Sequence, residues 1–270
     1  MIDCGESTQT QMRKSRISFS GLKHIFISHL HGDHCFGLPG LISTLGMLGR
    51  SGDLYIHAPS GIEEFLRPIL TLFNKELPYK IQFNTIDPYS HSLILDDRSL
   101  EIYTIPLKHR VPCCGYLFVE KQSEPHLIKE TLDFYQIPLR MRPGIKQGAD
   151  FITEDGTVVP NKYLVRPANP PRRYAYCSDT AYSESIIPLI EGADLLYHEA
   201  TFAETEAKRA KETFHSTARQ AAEIARRAQV KKLVIGHYSA RYENITPLLQ
   251  EAREIFPETV SANEGMKLSI

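Results

Sequence analysis

His29, His31, Asp33 and His34 crowd into the run Ser28-His29-Leu30-His31-Gly32-Asp33-His34. Three imidazoles and a carboxylate this close together are costly to bury unless a cation or a full set of hydrogen bonds satisfies them. The preceding Leu22-Lys23-His24-Ile25-Phe26-Ile27-Ser28 reads as a strand, and Gly37 and Pro39-Gly40 follow. The cluster is therefore expected on a tight turn at the C-terminal end of a strand, where a loop can aim several side chains at one point. Imidazole and carboxylate donors suit zinc and similar transition metals. Alternation puts His29 and His31 on one side for one ion. Asp33 and His34 follow the turn and reach towards a second.

Two adjacent ions need more ligands than one loop supplies, so His or Asp residues should recur at later strand ends. His109 follows the strand-like Leu100-Glu101-Ile102-Tyr103-Thr104-Ile105. Asp179 follows Tyr176-Cys177-Ser178, and His237 follows Val234-Ile235-Gly236. Each stands at or just past a strand end, where α/β-type sheets place their sites. The isolated His24, His57, His91 and His126 read instead as surface or structural histidines.

The chain of 270 residues can bury a sizeable core as one large domain or two small ones. It has no apolar stretch long enough to span a bilayer and no basic-then-apolar leader at its start. Five cysteines without a CxxC pair fit a reduced, cytoplasmic protein. The formal net charge of −1 leaves any polyanionic partner to local basic patches.

Met1-Ile2-Asp3-Cys4 reads as the end of a buried strand, followed by a turn at Gly5 and a helix through Thr8-Gln9-Thr10-Gln11-Met12. Either the chain starts short or sequence precedes Met1. Helices are expected over Pro39–Leu48 and Ile62–Phe73, and strands over Leu54–Ala58, Ile81–Phe83, Ser92–Leu95, Gly115–Val119, Tyr174–Cys177, Ala193–Tyr197 and Lys232–Gly236. Ser216 is expected to cap a helix running to about Gln229, with Ala221, Ala222, Ile224, Ala225 and Ala228 as its apolar face. From about 120 to 166 the strand rhythm disappears among Pro125, Pro138, Pro143, Gly144, Gly148 and Gly156. That length suits an inserted arm, locally basic at Arg140, Arg142 and Lys146.

The run Ser-His-Leu-His-Gly-Asp-His matches the HxHxDH signature of the metallo-β-lactamase superfamily. More narrowly, the chain resembles the ribonuclease Z family, the transfer-RNA 3′-processing endonucleases. The narrower resemblance rests on Asp3-Cys4-Gly5-Glu6-Ser7-Thr8-Gln9 and His34-Cys35-Phe36-Gly37-Leu38-Pro39-Gly40-Leu41. Ser178-Asp179-Thr180, His198-Glu199-Ala200-Thr201-Phe202, Phe214-His215-Ser216-Thr217 and Gly236-His237-Tyr238-Ser239 complete it. It spans essentially the whole chain and implies an α/β fold, a four-layer αββα sandwich forming a single domain over 1–270. A flexible arm over 120–166 would serve as the RNA-gripping exosite. The family usually begins with a few dozen further residues that carry the first strands of one sheet. Ser7 stands where the family usually has glycine.

The resemblance implies two Zn²⁺ per subunit, one held by His29, His31 and His109 and the other by Asp33, His34 and His237, with Asp179 bridging. The expected activity is zinc-dependent hydrolysis of a phosphodiester in precursor transfer RNA, removing the 3′ trailer. Asp33 would orient or deprotonate the water, and His215, held by Glu199, would protonate the departing 3′ oxygen. A homodimer is expected, and no membrane partner. Another dimetal hydrolase (small phosphodiesterase, thioesterase or lactonase) and an inactive RNA-binding fragment are the competing expectations.

Overall fold

A computed structural model of the chain describes residues 1–73 and 77–270. The chain divides into two units. The first comprises Met1–Asp96, Ile102–Phe118 and Arg173–Ile270, and the second Asp97–Glu101 and Val119–Arg172.

In chain order the elements begin with helix α1 (Thr8–Lys14), strand β1 (His24–Phe26), the one-turn helix α2 (Gly32–Cys35), α3 (Leu38–Met47), β2 (Leu54–Ala58), α4 (Ile62–Phe73), β3 (Ile81–Thr85), β4 (Leu93–Asp96), β5 (Leu100–Pro106) and β6 (Cys114–Glu120). The second unit adds β7 (His126–Leu127), α5 (Lys129–Phe134), α6 (Arg142–Lys146), β8 (Phe151–Ile152), β9 (Val158–Val159) and β10 (Val165–Arg166). The chain then forms β11 (Arg173–Cys177), α7 (Ile187–Ile190), β12 (Leu195–Glu199), α8 (Ala207–Thr213), α9 (Ala218–Arg227), β13 (Leu233–Gly236), α10 (Thr246–Ile255) and β14 (Thr259–Ser261).

Two sheets and two helical layers make an αββα sandwich. The smaller sheet is parallel in the order β1-β2-β3, with His24 opposite Tyr55 and Leu54 opposite Ile81. Residues 1–3 lie alongside it: Ile2 bridges Phe26 in parallel, and the Asp3 amide donates to the Phe26 carbonyl at 2.8 Å. The larger sheet runs β14-β13-β12-β11-β6-β5-β4, with β11 to β14 mutually parallel. All four residues of β13 are buried, as a parallel strand covered on both faces requires.

Helices α1, α3 and α4 close the small sheet around Met12, Leu38, Leu41, Ile42, Leu45, Ile62 and Leu66, which pack with Ile25, Leu54 and Ile56. On the other side α9 lies against β12 and β13, and α10 against α9 and β14. The sheets meet through aromatic side chains. Phe26 of β1 sits 5.3 Å from the ring of Tyr116 in β6, and the fully buried Tyr116 hydroxyl donates to the Ile27 carbonyl at 2.6 Å.

Two local expectations change. The helix expected from a Ser216 cap starts one residue later. Thr217 is its N-cap, in a reciprocal box where the Gln220 amide donates to the Thr217 hydroxyl and the Thr217 amide donates to the Gln220 side chain. Ser216 instead donates to the Thr180 carbonyl at 2.6 Å. Likewise Asp33 and His34 lie within α2 rather than on a simple turn. A close approach makes this geometry accessible. The Gly37 amide donates to the Cys4 carbonyl at 2.9 Å, and a Cβ at Gly37 would stand 1.9 Å from the Gly5 carbonyl oxygen.

The second unit folds about its own small core of Leu132, Ile137, Ile145, Phe151, Val159 and Leu164. Its antiparallel pairs, β7 with β10 and β8 with β9, have two residues per strand. Strands that short leave no alternation for a sequence pattern to reveal. At its root the Glu120 carboxylate pairs with the Arg172 guanidinium and accepts from the Arg172 amide at 3.0 Å.

Ser7 has φ 62° in the left-handed region, where a side chain is strained and glycine is not. Its side chain makes no capping hydrogen bond to α1. Ser7→Gly is expected to raise the unfolding free energy by roughly 0.5–1 kcal/mol, read as a higher urea midpoint at unchanged slope. A midpoint that falls would show that this turn carries no strain.

Candidate metal centre

The ends of β1, β5, β11, β12 and β13 converge. His29 and His31 lie in the segment between β1 and α2, and Asp33 and His34 in α2 itself. His109 follows β5, Asp179 follows β11, Glu199 ends β12 and His237 follows β13. Both Asp179 (φ 56°) and His237 (φ 60°) take the left-handed conformation, which turns the backbone sharply at the strand end. The structure brings all seven sequence-predicted ligand residues together. His29, His31, His109 and Asp179 form one group, and Asp33, His34 and His237 another, with donor atoms in each within 4.8 Å of one another.

The spacings suit a shared metal centre. His31 Nδ1 stands 2.9 Å from His29 Nε2 and 3.3 Å from His109 Nε2. Asp179 Oδ2 stands 3.6 Å from His29 Nε2 and 3.8 Å from His109 Nε2. Its other oxygen, Oδ1, faces the second group, 3.1 Å from His237 Nε2 and 3.5 Å from His34 Nε2. Asp33 Oδ2 lies 3.5 Å from His34 Nε2. Donors about 2.0–2.2 Å from a tetrahedral zinc stand about 3.3–3.6 Å apart, and these separations scatter around that range, so small side-chain shifts would let each group close on a cation, with Asp179 reaching both.

The far nitrogen of each of four imidazoles is tied to the protein. Asp3 accepts from His34 Nδ1 at 2.8 Å, from the Ser28 amide at 2.7 Å, from the Ser28 hydroxyl at 2.9 Å and from the Tyr176 hydroxyl at 3.1 Å. With its proton given to Asp3, Ser28 Oγ accepts from His29 Nδ1 at 3.0 Å. His109 Nδ1 donates to the Phe214 carbonyl at 3.1 Å, and His237 Nδ1 lies 3.0 Å from Thr201 Oγ1. Such partners fix the tautomer that leaves the inner nitrogen open to a cation.

Electrostatics divide the cluster. Burial, reinforced by the imidazoles of His34 and His109, pushes His29 far down and keeps it neutral. Burial also opposes the charged form of His34, but the hydrogen bond and charge of Asp3, with Asp179 and Asp33 nearby, push it up to about 9. Burial lowers His109 despite the Phe214 carbonyl.

Beside the ligands, Glu199 is fully buried yet meets four donors. Its Oε1 accepts from the Thr180 amide and from His215 Nδ1, both at 2.8 Å. Its Oε2 accepts from the Thr201 amide at 3.1 Å and the Thr201 hydroxyl at 2.6 Å. Burial alone would raise its carboxyl, but His215 and these hydrogen bonds hold it below the ordinary range. In return, and against its own burial, Glu199 raises His215. The His215 ring stacks 5.4 Å from that of His237 and lies 5.2 Å from that of His109. Together with His31, His109 and Thr201 it lines a cleft of about 250 Å³ that Arg110, Arg209 and Arg241 also border.

Sequence reasoning assigned no role to Asp3, Ser28, Thr180, Thr201 or the cleft arginines. Asp3 and Thr201 sit inside the recognised motifs, and Arg110 adjoins His109, but nothing in their spacing tells which atom they touch. The arm residues lie in the second unit. Arg140 is exposed, Arg142 is half-buried, and Lys146 is paired with Glu124 at 3.0 Å, so less free positive charge is present there than the bare sequence implies.

Asp3→Ala would strand four donors at once. It is expected to lower the unfolding free energy by about 3–5 kcal/mol in urea denaturation. A loss under about 1 kcal/mol would remove Asp3 as the anchor of this network.

Comparison with known proteins agrees with this geometry. The β-lactamase superfamily domain family matches residues 131–238, and the anti-Pycsar protein Apyc1 family matches residues 1–67. Ribonuclease Z of Parabacteroides distasonis is 69% identical over 270 residues, covering 100% of this chain and 89% of that protein. Ribonuclease Z of Bacteroides thetaiotaomicron is 58% identical, covering 100% and 85%. The crystal structure of the short form of human tRNase Z superposes with a TM-score of 0.70 at 28% identity, covering 100% of this chain and 87% of that one. The metallo-β-lactamase fold protein YhfI of Bacillus subtilis shares the fold, with a TM-score of 0.66 at 19% identity over 98% of this chain and 85% of that one. With a full-length match at such identity, the chain belongs to the ribonuclease Z family of the metallo-β-lactamase superfamily.

Proposed function

We propose that this chain is a zinc-dependent endoribonuclease that cuts precursor transfer RNA at its 3′ side and releases the trailer. The relatives named ribonuclease Z and tRNase Z support that substrate. The observation that carries the reading is the position of His215. It is fixed by a buried carboxylate, stacked on the His237 ring with the His109 ring edge-on to it, and open to a cleft bordered by three arginines.

His29, His31 and His109 would hold one zinc and Asp33, His34 and His237 the other, with Asp179 between them. When bound, two such ions lower the pKa of a water and offset charge on the non-bridging phosphate oxygens. The chain's own groups do the rest. Asp33, whose side chain is 65% exposed, faces the approaching substrate and orients or deprotonates the water. As the P–O3′ bond breaks, His215 gives its Nε2 proton to the departing 3′ oxygen while Glu199 holds Nδ1. The transfer RNA leaves with a 3′ hydroxyl and the trailer with a 5′ phosphate. Arg110, Arg209 and Arg241 supply positive charge for phosphates flanking the cut. The arm, through Arg140, Arg142 and Lys146, is a second RNA contact. A homodimer working in the cytoplasm completes the proposal, and no helix among the described residues is long and apolar enough to cross a membrane.

One assay tests the reading: precursor transfer RNA, a chromogenic phosphodiester and a thioester offered to the same preparation, with RNA ends mapped. The expected result is a single cut leaving a 3′ hydroxyl, abolished by His31→Ala together with loss of bound zinc. Turnover of the thioester with intact RNA, or a fully active His31→Ala, would sink it. For the cleft, the Arg110→Ala, Arg241→Ala double variant should raise KM for precursor RNA by about tenfold and flatten its salt dependence. The small phosphodiester should be turned over within about twofold of the native rate. Equal losses on both substrates would assign these arginines to folding instead.

A further inference from the structure

The Thr201 hydroxyl lies among more partners than one proton can serve. Glu199 Oε2 is 2.6 Å away, the His237 carbonyl 2.9 Å, His237 Nδ1 3.0 Å and His215 Nδ1 3.3 Å. A hydroxyl gives one hydrogen and accepts on its lone pairs. The carboxylate is the closest of these acceptors and the charged one, so it takes the proton. His237 Nδ1 then faces only a lone pair and must itself carry hydrogen. Its Nε2, 3.1 Å from Asp179 Oδ1, is left as the bare donor atom.

Without the hydroxyl, nothing holds the hydrogen on Nδ1, and the opposite tautomer, with its hydrogen on the Nε2 that stands 3.1 Å from Asp179 Oδ1, becomes accessible. That tautomer occupies the lone pair a cation needs. Glu199 thus has a second task besides orienting His215: through one hydroxyl it sets which nitrogen of His237 is open.

We infer that Thr201 is a positioning residue that holds His237 in its ion-binding tautomer, linking the second metal position to the Glu199–His215 pair. The inference rests on the reading of His237 as a ligand. It makes the hydroxyl, not the bulk, of Thr201 the determinant. Threonine and valine have nearly the same shape, whereas serine keeps the hydroxyl and loses a methyl, so two variants separate the causes.

The test loads the full chain and its Thr201→Val and Thr201→Ser variants with Zn²⁺ and challenges each with rising concentrations of a chromogenic chelator. Thr201→Val should release one of two zinc ions at chelator concentrations about tenfold to a hundredfold lower than the native chain. Thr201→Ser should stay within about threefold of native. Thermal unfolding in parallel shows that each variant is folded, and Thr201→Ala replaces Thr201→Val if the latter aggregates. Native-like retention by Thr201→Val, or equal loss from Thr201→Ser, overturns the role of Thr201. A native chain that holds no zinc overturns both this role and the metal reading beneath it.

Discussion

The centre depends on one carboxylate divided between two sets of imidazoles. Asp179 turns Oδ2 to His29 and His109 and Oδ1 to His34 and His237. Were two cations held side by side, they would repel strongly in a partly desolvated pocket, and a carboxylate facing both groups would supply compensating charge. Asp179 can stand there only because it follows β11 in the larger sheet, while His29 and His34 follow β1 in the smaller one. The packing of the two sheets, through Phe26, Tyr116 and the bond to the Ile27 carbonyl, is therefore part of the site as much as of the core.

A second set of contacts gives the ligands their directions. A carboxylate holds His34, a serine hydroxyl holds His29, and a backbone carbonyl holds His109. These anchors differ chemically, and so do the resulting imidazoles: His29 is kept neutral by burial while Asp3 makes His34 more basic. Side chains locked in this way need not reorganise when a cation arrives, which is where preorganised sites gain their affinity.

The convergence of the seven candidate ligand residues was legible because metal-binding chemistry is confined to few residue types and strand ends leave a pattern. Their partition between two ions came from family resemblance; the donor atoms themselves gather in three overlapping groups, the third made of Asp179, His215 and His237. The anchors were not legible. Asp3 at the start of the chain and Tyr176 in β11 meet only after the sheets pack, and no local pattern encodes a contact of that range. The segment from about 120 to 166 stood out only as a break in rhythm; the core of the second unit, Asp97–Glu101 with Val119–Arg172, was hidden because strands of two residues carry no period. At α9 the error of one residue came from favouring Ser216 over Thr217, when Gln220 three positions after Thr217 was the deciding partner.

The ligands come from opposite reaches of the chain, with His29 near one end and His237 near the other, and each lies just past the element that carries it. Closing so long a loop costs entropy before any contact repays it. A chain emerging from synthesis would hold the first four ligands long before the last, and could at most weakly chelate a stray ion. Only completed docking of β13 assembles the full donor set. Tight ion uptake would then mark the end of maturation, and the binding energy would reinforce a pairing between segments roughly 200 residues apart, such as His34 with His237.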